Sequence, residues 1–161
     1  FLLEHIQTRA AAPPPPEAVA GERPRRAFLV HDHRDKGDPI RNRIDDIIYN
    51  HNFDVYVPVF REDEPYVDPD ASFRDFWMVC NKAVVLLRHA TTAWCNAIKV
   101  ELIKSATEKK GPYGMAVCVA DPEVEKRIRE VRSHEFEVIN CALDDFEAKL
   151  TAFLLKIDRH A

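Results

Sequence analysis

The chain has 161 residues, of which 46% are hydrophobic and 31% charged, and its formal net charge is −4. This is the composition of about one globular domain, and the negative charge gives no electrostatic reason to expect a nucleic acid or an anionic membrane as a partner. No apolar run approaches the roughly 20 residues of a membrane-spanning helix. We therefore expect a cytoplasmic domain that binds neither nucleic acid nor membrane.

The cysteines indicate a reducing environment. Cys80, Cys95, Cys118 and Cys141 lie far apart in the sequence, each beside apolar residues and without a C-x-x-C pair. Zinc and redox sites commonly use such pairs. The pattern predicts reduced, mostly buried thiols.

The first 24 residues differ in composition from the rest. Leu2, Leu3 and Ile6 have helical spacing, and four consecutive prolines at 13–16 introduce a polar stretch. A proline-rich segment is extended and does not join a core. We interpret residues 1–24 as the end of a preceding element plus a linker, and 25–161 as the folded domain.

From residue 25 onward, short apolar runs alternate with helical patterns. Strands are predicted at 27–30, 53–60, 83–87, 115–120 and 136–139. Helices are predicted to start at Asp38-Pro39, Phe73, Thr91 or Thr92, Asp121-Pro122 and Asp144. The helix that starts at Thr91 or Thr92 is predicted to end near Lys109. Asp144 and Glu147 have the spacing of a capping box. A long polar loop covers 61–72. Strict alternation predicts an α/β fold: a flavodoxin-like, five-stranded parallel sheet of order 2-1-3-4-5 with helices on both faces.

The predicted topology locates the ligand site. In such sheets ligands bind beyond the carboxyl ends of the strands, where the strand order reverses, which here means the loops at 31–37 and 88–92. The glycine-rich phosphate-binding motifs of dehydrogenases and NTPases are absent. A phosphoacceptor domain is also excluded, because Arg88 and Asp121 stand where it requires an aspartate and a lysine.

The segment His31-Asp32-His33 superficially suggests a metal site. Only His31 and His33 can share a side, and no further ligand is assignable, so no metal is predicted. Asp32 and Asp35 either hold ribose hydroxyls or cap the next helix.

Three segments together resemble one family. The first strand ends in a polar cluster that contains an acidic residue, at 30–35. Residues 60–65 are similar to an R-D-x-x-P-G loop, with Tyr66 in place of the glycine. The segment from Thr91 to Cys95, followed by Glu101-Leu102, is similar to an S-x-x-W-C-x-x-E-L motif. Over residues 25–159 the chain resembles a bacterial-type TIR (Toll/interleukin-1 receptor) domain. In the family motif the glutamate follows the tryptophan by four positions, whereas here Ile98 has that place and Glu101 is seven positions after Trp94.

The resemblance implies two functions, both in signalling or defence. Some TIR domains hydrolyse NAD to nicotinamide and ADP-ribose or a cyclised form, and others only assemble with further TIR domains. In the enzymatic case NAD is the substrate, no cofactor is needed, and Glu101 is the catalytic carboxylate. The implied substrate-binding residues are Asp32, His33, Arg34, Arg61 and Trp94.

In the assembly case the partners are other TIR-like domains, including further copies of this chain, and an upstream domain of the same chain. The implied assembly loop consists of Arg61, Glu62, Asp63, Glu64, Pro65 and Tyr66. Alternatives remain open for two residues: Glu101 as a surface acid paired with Lys104 or Ser105, and Trp94 as a packing residue. A nucleoside-processing transferase on a similar sheet is a third possible class.

Overall fold

The structure, a computed structural model, describes residues 25–57 and 71–156. The strands are β1 Arg26–Val30, β2 Asp54–Tyr56, β3 Lys82–Leu87, β4 Gly114–Val119 and β5 Glu137–Asn140. The helices are α1 Pro39–Asn50, α2 Ala71–Val79, α3 Thr92–Ala106, α4 Val124–Val131 and α5 Phe146–Leu155. The predicted linker at 1–24 and residues 61–66 lie outside the described residues.

The sheet is parallel throughout, with the strand order β2-β1-β3-β4-β5. This confirms the predicted order and the flavodoxin-like α/β class. Parallel neighbours require a crossover, and a helix supplies each one, so helices cover both faces. The strand order reverses between β1 and β3, where Val30 and Val85 are register partners.

Two hydrophobic cores lie on opposite faces of the sheet. Val84 and Leu86 of β3 pack with α1 and α5, whereas Val85 and Leu87 pack with α2, α3 and α4. All four side chains are fully buried. Successive strand residues point to opposite faces, so a strand that is covered on both sides is apolar at every position.

Two helix starts are confirmed, and both adjoin the carboxyl edge of the sheet. The Asp38 carboxylate accepts a hydrogen bond from Ile40 N at 2.8 Å, and Pro39 is the first residue of α1. The Thr91 hydroxyl accepts from Trp94 N at 3.1 Å and caps α3. Each side chain satisfies a backbone donor that the first helical turn leaves unpaired.

Other predicted boundaries are wrong by one to three residues. α3 ends at Ala106 rather than Lys109, because Glu108 N and Lys109 N bond three residues back in turns. α4 begins at Val124, since the Asp121 carboxylate bonds Glu123 N in a preceding turn.

The capping box predicted from Asp144 and Glu147 is also wrong. The residue before α5 is Asp145, whose side chain makes no capping hydrogen bond. The turn after β5 already pairs Phe146 N with Leu143 O at 3.2 Å, which moves the helix start one residue later.

The cysteines have the predicted state. All four are free thiols, and Cys80, Cys95 and Cys118 are buried. Burial raises the pKa of both Cys80 and Cys95 to about 12, so these thiols are poor nucleophiles at neutral pH. Within the described ranges, the structure contains no helix that is long and apolar enough to cross a membrane.

Candidate functional site at the carboxyl edge of the sheet

Charged side chains from two loops meet where the strand order reverses. The first loop follows β1, contains a 3-10 turn at His33–Asp35, and ends at Asp38, the cap of α1. The second follows β3 and contains Arg88 and His89. Because β1 and β3 are hydrogen-bonded neighbours, both loops emerge at the same edge. We call this region the carboxyl edge.

Asp35 and His89 form a hydrogen-bonded pair across the two loops. The Asp35 side chain is fully buried, whereas the His89 side chain is 52% exposed. His89 Nδ1 lies 2.5 Å from Asp35 Oδ1, and His89 N donates to Asp35 Oδ2 at 3.5 Å. Burial raises the pKa of Asp35, and the hydrogen bonds and charge of His89 oppose that shift. The buried carboxylate thus fixes the position of a half-exposed imidazole.

Asp38 and Arg88 form a second pair across the same two loops. Arg88 Nε donates to Asp38 Oδ2 at 3.2 Å, and Arg88 Nη1 donates to Ala120 O, beyond β4, at 2.6 Å. Burial alone would raise the pKa of Asp38, but its hydrogen bonds with Ile40 N and Arg88, together with the Arg88 charge, lower it. Asp38 therefore stays ionised, and Arg88 joins the loops after β1, β3 and β4.

Asp32 holds the loop after β1 in shape. Its side chain is only 4% exposed and accepts from Arg34 Nε at 2.6 Å and from Arg34 N at 3.3 Å. His33 Nδ1 lies 3.5 Å from the other carboxylate oxygen. Of the two roles left open for Asp32, the capping role is the one that its contacts show, although the cap serves the 3-10 turn rather than α1.

His31 is buried beneath this loop and is separate from the exposed groups. Its side chain points into the protein, where Nδ1 donates to Asp32 O at 2.9 Å. Burial lowers the pKa of His31 to about 4, so the ring is neutral at physiological pH. His31 supports the backbone of the loop and does not face a ligand.

A metal ion could in principle bind between Asp35, Asp38 and His89. One ligand atom from each lies within 4.8 Å of the others. However, Arg88 already neutralises Asp38, and His89 Nδ1 already pairs with Asp35. A cation would have to displace Arg88 and break the Asp35–His89 hydrogen bond, so we assign no metal to this group.

Glu101 lies away from the carboxyl edge. α3 starts at that edge, and Glu101 is far enough beyond Thr91 to lie about 15 Å along the helix axis. Its side chain is 37% exposed, with an oxygen 4.0 Å from Lys104 Nζ. This is the surface pair that was one of the alternatives for Glu101. The structure therefore does not bring Glu101 together with Asp32, His33 and Arg34.

Trp94 and Ile98 form the inward side of the same helix. Ile98 is 4% exposed, and Trp94 packs partly buried against the same core. The indole Nε1 of Trp94 is buried and has no hydrogen-bond partner among the described residues. Trp94 is thus a packing residue with one unsatisfied donor. Arg61, the remaining residue of the implied binding set, and the assembly loop at 61–66 lie outside the described residues.

The sequence analysis expected a ligand site in the loops after β1 and β3, but it did not predict the two side-chain pairs that join these loops. Asp38 was recognised only as a helix cap, and His89 received no role. The predicted strand order contained the necessary signal, because neighbouring β1 and β3 place residues 35–38 beside residues 88–89. The structure therefore adds Asp38, Arg88 and His89 to the candidate residues of this edge, beside Asp35.

Comparison with known proteins adds no assignment. No family model matches the sequence, and a search of curated proteins found no significant match. A function for this chain must therefore be argued from its own residues.

Proposed function

We propose that the chain is a TIR-like signalling domain that binds NAD at the carboxyl edge and releases nicotinamide when copies cluster. Two independent features support this: the TIR-like motifs of the sequence, and the charged groups of two loops at the switch point of the sheet. The second is the observation that carries the proposal, since α/β sheets of this kind bind nucleotides at that place.

The charges of the edge fit the phosphates of a dinucleotide. Arg34 is 52% and Arg88 31% exposed at the side chain, and each is held by a well-buried aspartate. Such pre-positioned guanidinium groups bind phosphate oxygens through charge-assisted hydrogen bonds. Half-exposed His89 follows Arg88 in the same loop.

Cleavage requires a carboxylate near the nicotinamide ribose, because the departing nicotinamide leaves positive charge on the sugar. We propose Glu101 for this role. A dinucleotide is an extended ligand, so its phosphates and its nicotinamide ribose need not contact the same residues. Glu101 would have to exchange its contact with Lys104 for the ribose.

The test is incubation of the concentrated chain with NAD, followed by chromatography for nicotinamide. We expect release by the wild type and at least a hundredfold loss in Glu101→Gln, which removes the charge but keeps the shape. Glu125→Gln, at an exposed position of α4, is the matched control and should retain wild-type activity. Full activity of Glu101→Gln would exclude Glu101 from the reaction.

A second candidate is a non-catalytic assembly module. Two observations favour it: buried Ile98 occupies the place of the family glutamate, and Glu101 pairs with Lys104. In that case the wild type releases no nicotinamide but self-associates through residues 61–66. Reversing the charges of Arg61, Glu62, Asp63 and Glu64 should then abolish the concentration-dependent increase in sedimentation coefficient. Unchanged sedimentation would count against assembly through this loop.

A further inference from the structure

A cleft lies at the amino edge of the sheet, where β1, β3 and β4 begin, on the side away from the carboxyl edge. Its volume is about 270 Å³. Arg26 is the first residue of β1, Asn81 immediately precedes β3, and Gly111-Pro112 belong to the segment before β4. Asn81 N donates to Arg26 O at 2.9 Å, and Gly114 N donates to Asn81 O at 3.0 Å. The three strand starts that form the cleft are therefore fixed to one another.

Three cations line this cleft, and no carboxylate of the described residues does. They are Arg26, Lys109 and Lys110. None of the three forms an ion pair with another described residue, whereas the two arginines of the carboxyl edge are each paired with an aspartate. The Arg26 charge acts on Asp54, its register partner on β2, but the two side chains lie beyond ion-pair distance. Like charges without a counter-ion repel one another, so the cleft favours an anion from solution.

The guanidinium of Arg26 gives the most specific indication of a ligand. Its Nε is buried and has no hydrogen-bond partner among the described residues. The backbone N of Arg26 donates to Asn81 Oδ1 at 3.2 Å, which fixes the Asn81 amide and leaves its Nδ2 group as a further donor. A charged donor that is shielded from water without an acceptor is unfavourable, and buried donors of this kind are expected to have a partner. An oxyanion in the cleft would supply that acceptor.

The two lysines contribute to the cleft in different ways. Lys109 Nζ already donates to Trp77 O at 2.7 Å and to Cys80 O at 2.5 Å, so it supplies mainly positive charge. Lys110 is exposed, and its ammonium has no hydrogen-bond or ion-pair partner within the described part of the chain. A flexible four-carbon stem lets that ammonium turn towards a ligand.

The remaining wall of the cleft is partly apolar. Met78, Val79 and Pro112 contribute to it, and Val79 is 48% exposed. The volume of about 270 Å³ lies just below the roughly 300 to 1,000 Å³ of typical small-molecule sites. It exceeds what a single carboxylate or phosphate group fills. The ligand that fits is therefore small and has an apolar part beside its charge.

We propose that the amino edge binds a small organic anion, whose carboxylate or phosphate oxygens bond to Arg26 and Lys110 and whose apolar part contacts Val79 and Pro112. A guanidinium group binds an oxyanion through parallel charge-assisted hydrogen bonds, and the lysine ammonium adds a second cationic donor. This site is separate from the carboxyl edge and does not depend on the proposed function. A failure to hydrolyse NAD would leave it untouched.

The test is titration of the nitrogen-15-labelled full chain with phenyl phosphate and with benzoate, followed by two-dimensional NMR. We expect saturable shifts of the backbone amides of Asn81 and Gly111 with at least one probe, and the tighter probe identifies the preferred oxyanion. Arg26→Gln should weaken binding at least tenfold, from the loss of a charge-assisted hydrogen bond. Lys110→Met, at an exposed position that keeps the fold intact, should weaken it several-fold. Lys126→Gln, an exposed lysine of α4, is the matched control and should bind as the wild type does.

The outcomes that contradict the proposal are defined by the same titrations. The absence of saturable shifts with both probes up to about 10 mM would overturn it, as would an unchanged Kd in both cleft variants. Benzyl alcohol, which has the apolar ring without the charge, should bind more weakly than either anion. Equal binding of benzyl alcohol would show that the cleft does not select an anion.

Discussion

His31 is a neutral imidazole enclosed by the fold, and its burial makes stability depend on pH. Its pKa is lowered to about 4, against 6.5 in the unfolded chain. Between these values the unfolded chain binds the proton and the folded chain does not. The unfolded state therefore binds more protons, and acidification favours unfolding.

We predict that this contribution lowers the free energy of unfolding by about 2 kcal/mol between pH 8 and pH 5, from about 1.4 kcal/mol per pKa unit. Urea unfolding at both pH values measures it. Asp35, whose pKa is raised, acts in the opposite direction. His31→Asn isolates the histidine, since this variant should lose less stability on acidification than the wild type. An identical loss in both proteins would contradict the prediction.

Arg88 joins three loops of the carboxyl edge through its contacts with Asp38 and Ala120 O. Replacing it with methionine removes the donors to Asp38 and Ala120 O and leaves a largely buried carboxylate without its cation. We expect a loss of about 2 to 4 kcal/mol in the free energy of unfolding. The matched control is Arg43→Met, which removes an exposed pair with Glu147 and a cation–π contact with the Phe146 ring, each worth at most about 1 kcal/mol. Equal effects of the two substitutions would show that the Arg88 contacts contribute no more than the exposed contacts of Arg43.

Among the elements, α2 ends in an unusual arrangement. Lys109, beyond the end of α3, places Nζ 2.7 Å from Trp77 O and 2.5 Å from Cys80 O. The same ammonium lies 4.0 Å from the centre of the Trp77 ring. Helix carbonyls at a C-terminus have no partner within the helix, and a cation is favourable there. Lys109 thus joins the ends of α2 and α3.

Lys109→Met should therefore destabilise the domain by about 1 to 3 kcal/mol, because Cys80 O loses its ammonium donor and Trp77 O keeps only its hydrogen bond from Cys80 N, while the apolar stem is kept. Lys110→Met, at the adjacent exposed position, provides the control and should change stability by less than about 0.5 kcal/mol. Thermal or urea unfolding of both variants is the measurement. A Lys109 variant as stable as the Lys110 variant would mean that water satisfies these carbonyls equally well.

The helix starts show why some elements could be predicted and others could not. Asp38-Pro39 and Thr91 act on their own first turns, so local sequence was sufficient. Asp144 fails as a cap because the turn after β5 already uses Phe146 N, and that turn depends on where the strand ends. Local chemistry predicts an element when no neighbouring segment competes for the same donors.

At the scale of the whole molecule, the apolar character of β3 was the most informative pattern. A strand that is buried on both faces requires a layer of helices on each side, and the alternation of strands and helices supplies those layers. The fold class and the strand order could therefore be predicted from the sequence. The side-chain pairs of the carboxyl edge depend instead on residues that lie 50 or more positions apart in the sequence. Composition and spacing cannot specify such pairs.

The domain boundary gives a prediction for the molecule as a whole. Both described cores are built from residues between Ala27 and Leu154. We expect a fragment of residues 25–161 to unfold in one cooperative transition, at a urea midpoint equal to that of the full chain. Matched denaturation curves followed by circular dichroism test this. A fragment with a clearly lower midpoint would show that residues 1–24 contribute to the fold.

The bond between Arg88 and Asp38 also couples ligand binding to proton uptake. An anion bound at the edge would compete for the Arg88 guanidinium, and Asp38 would then lose one of the contacts that keep its pKa low. Such a ligand would bind more tightly as the pH falls towards the range in which Asp38 is protonated, and binding would draw protons from the buffer. Titration calorimetry in buffers of different ionisation enthalpy would detect this exchange directly.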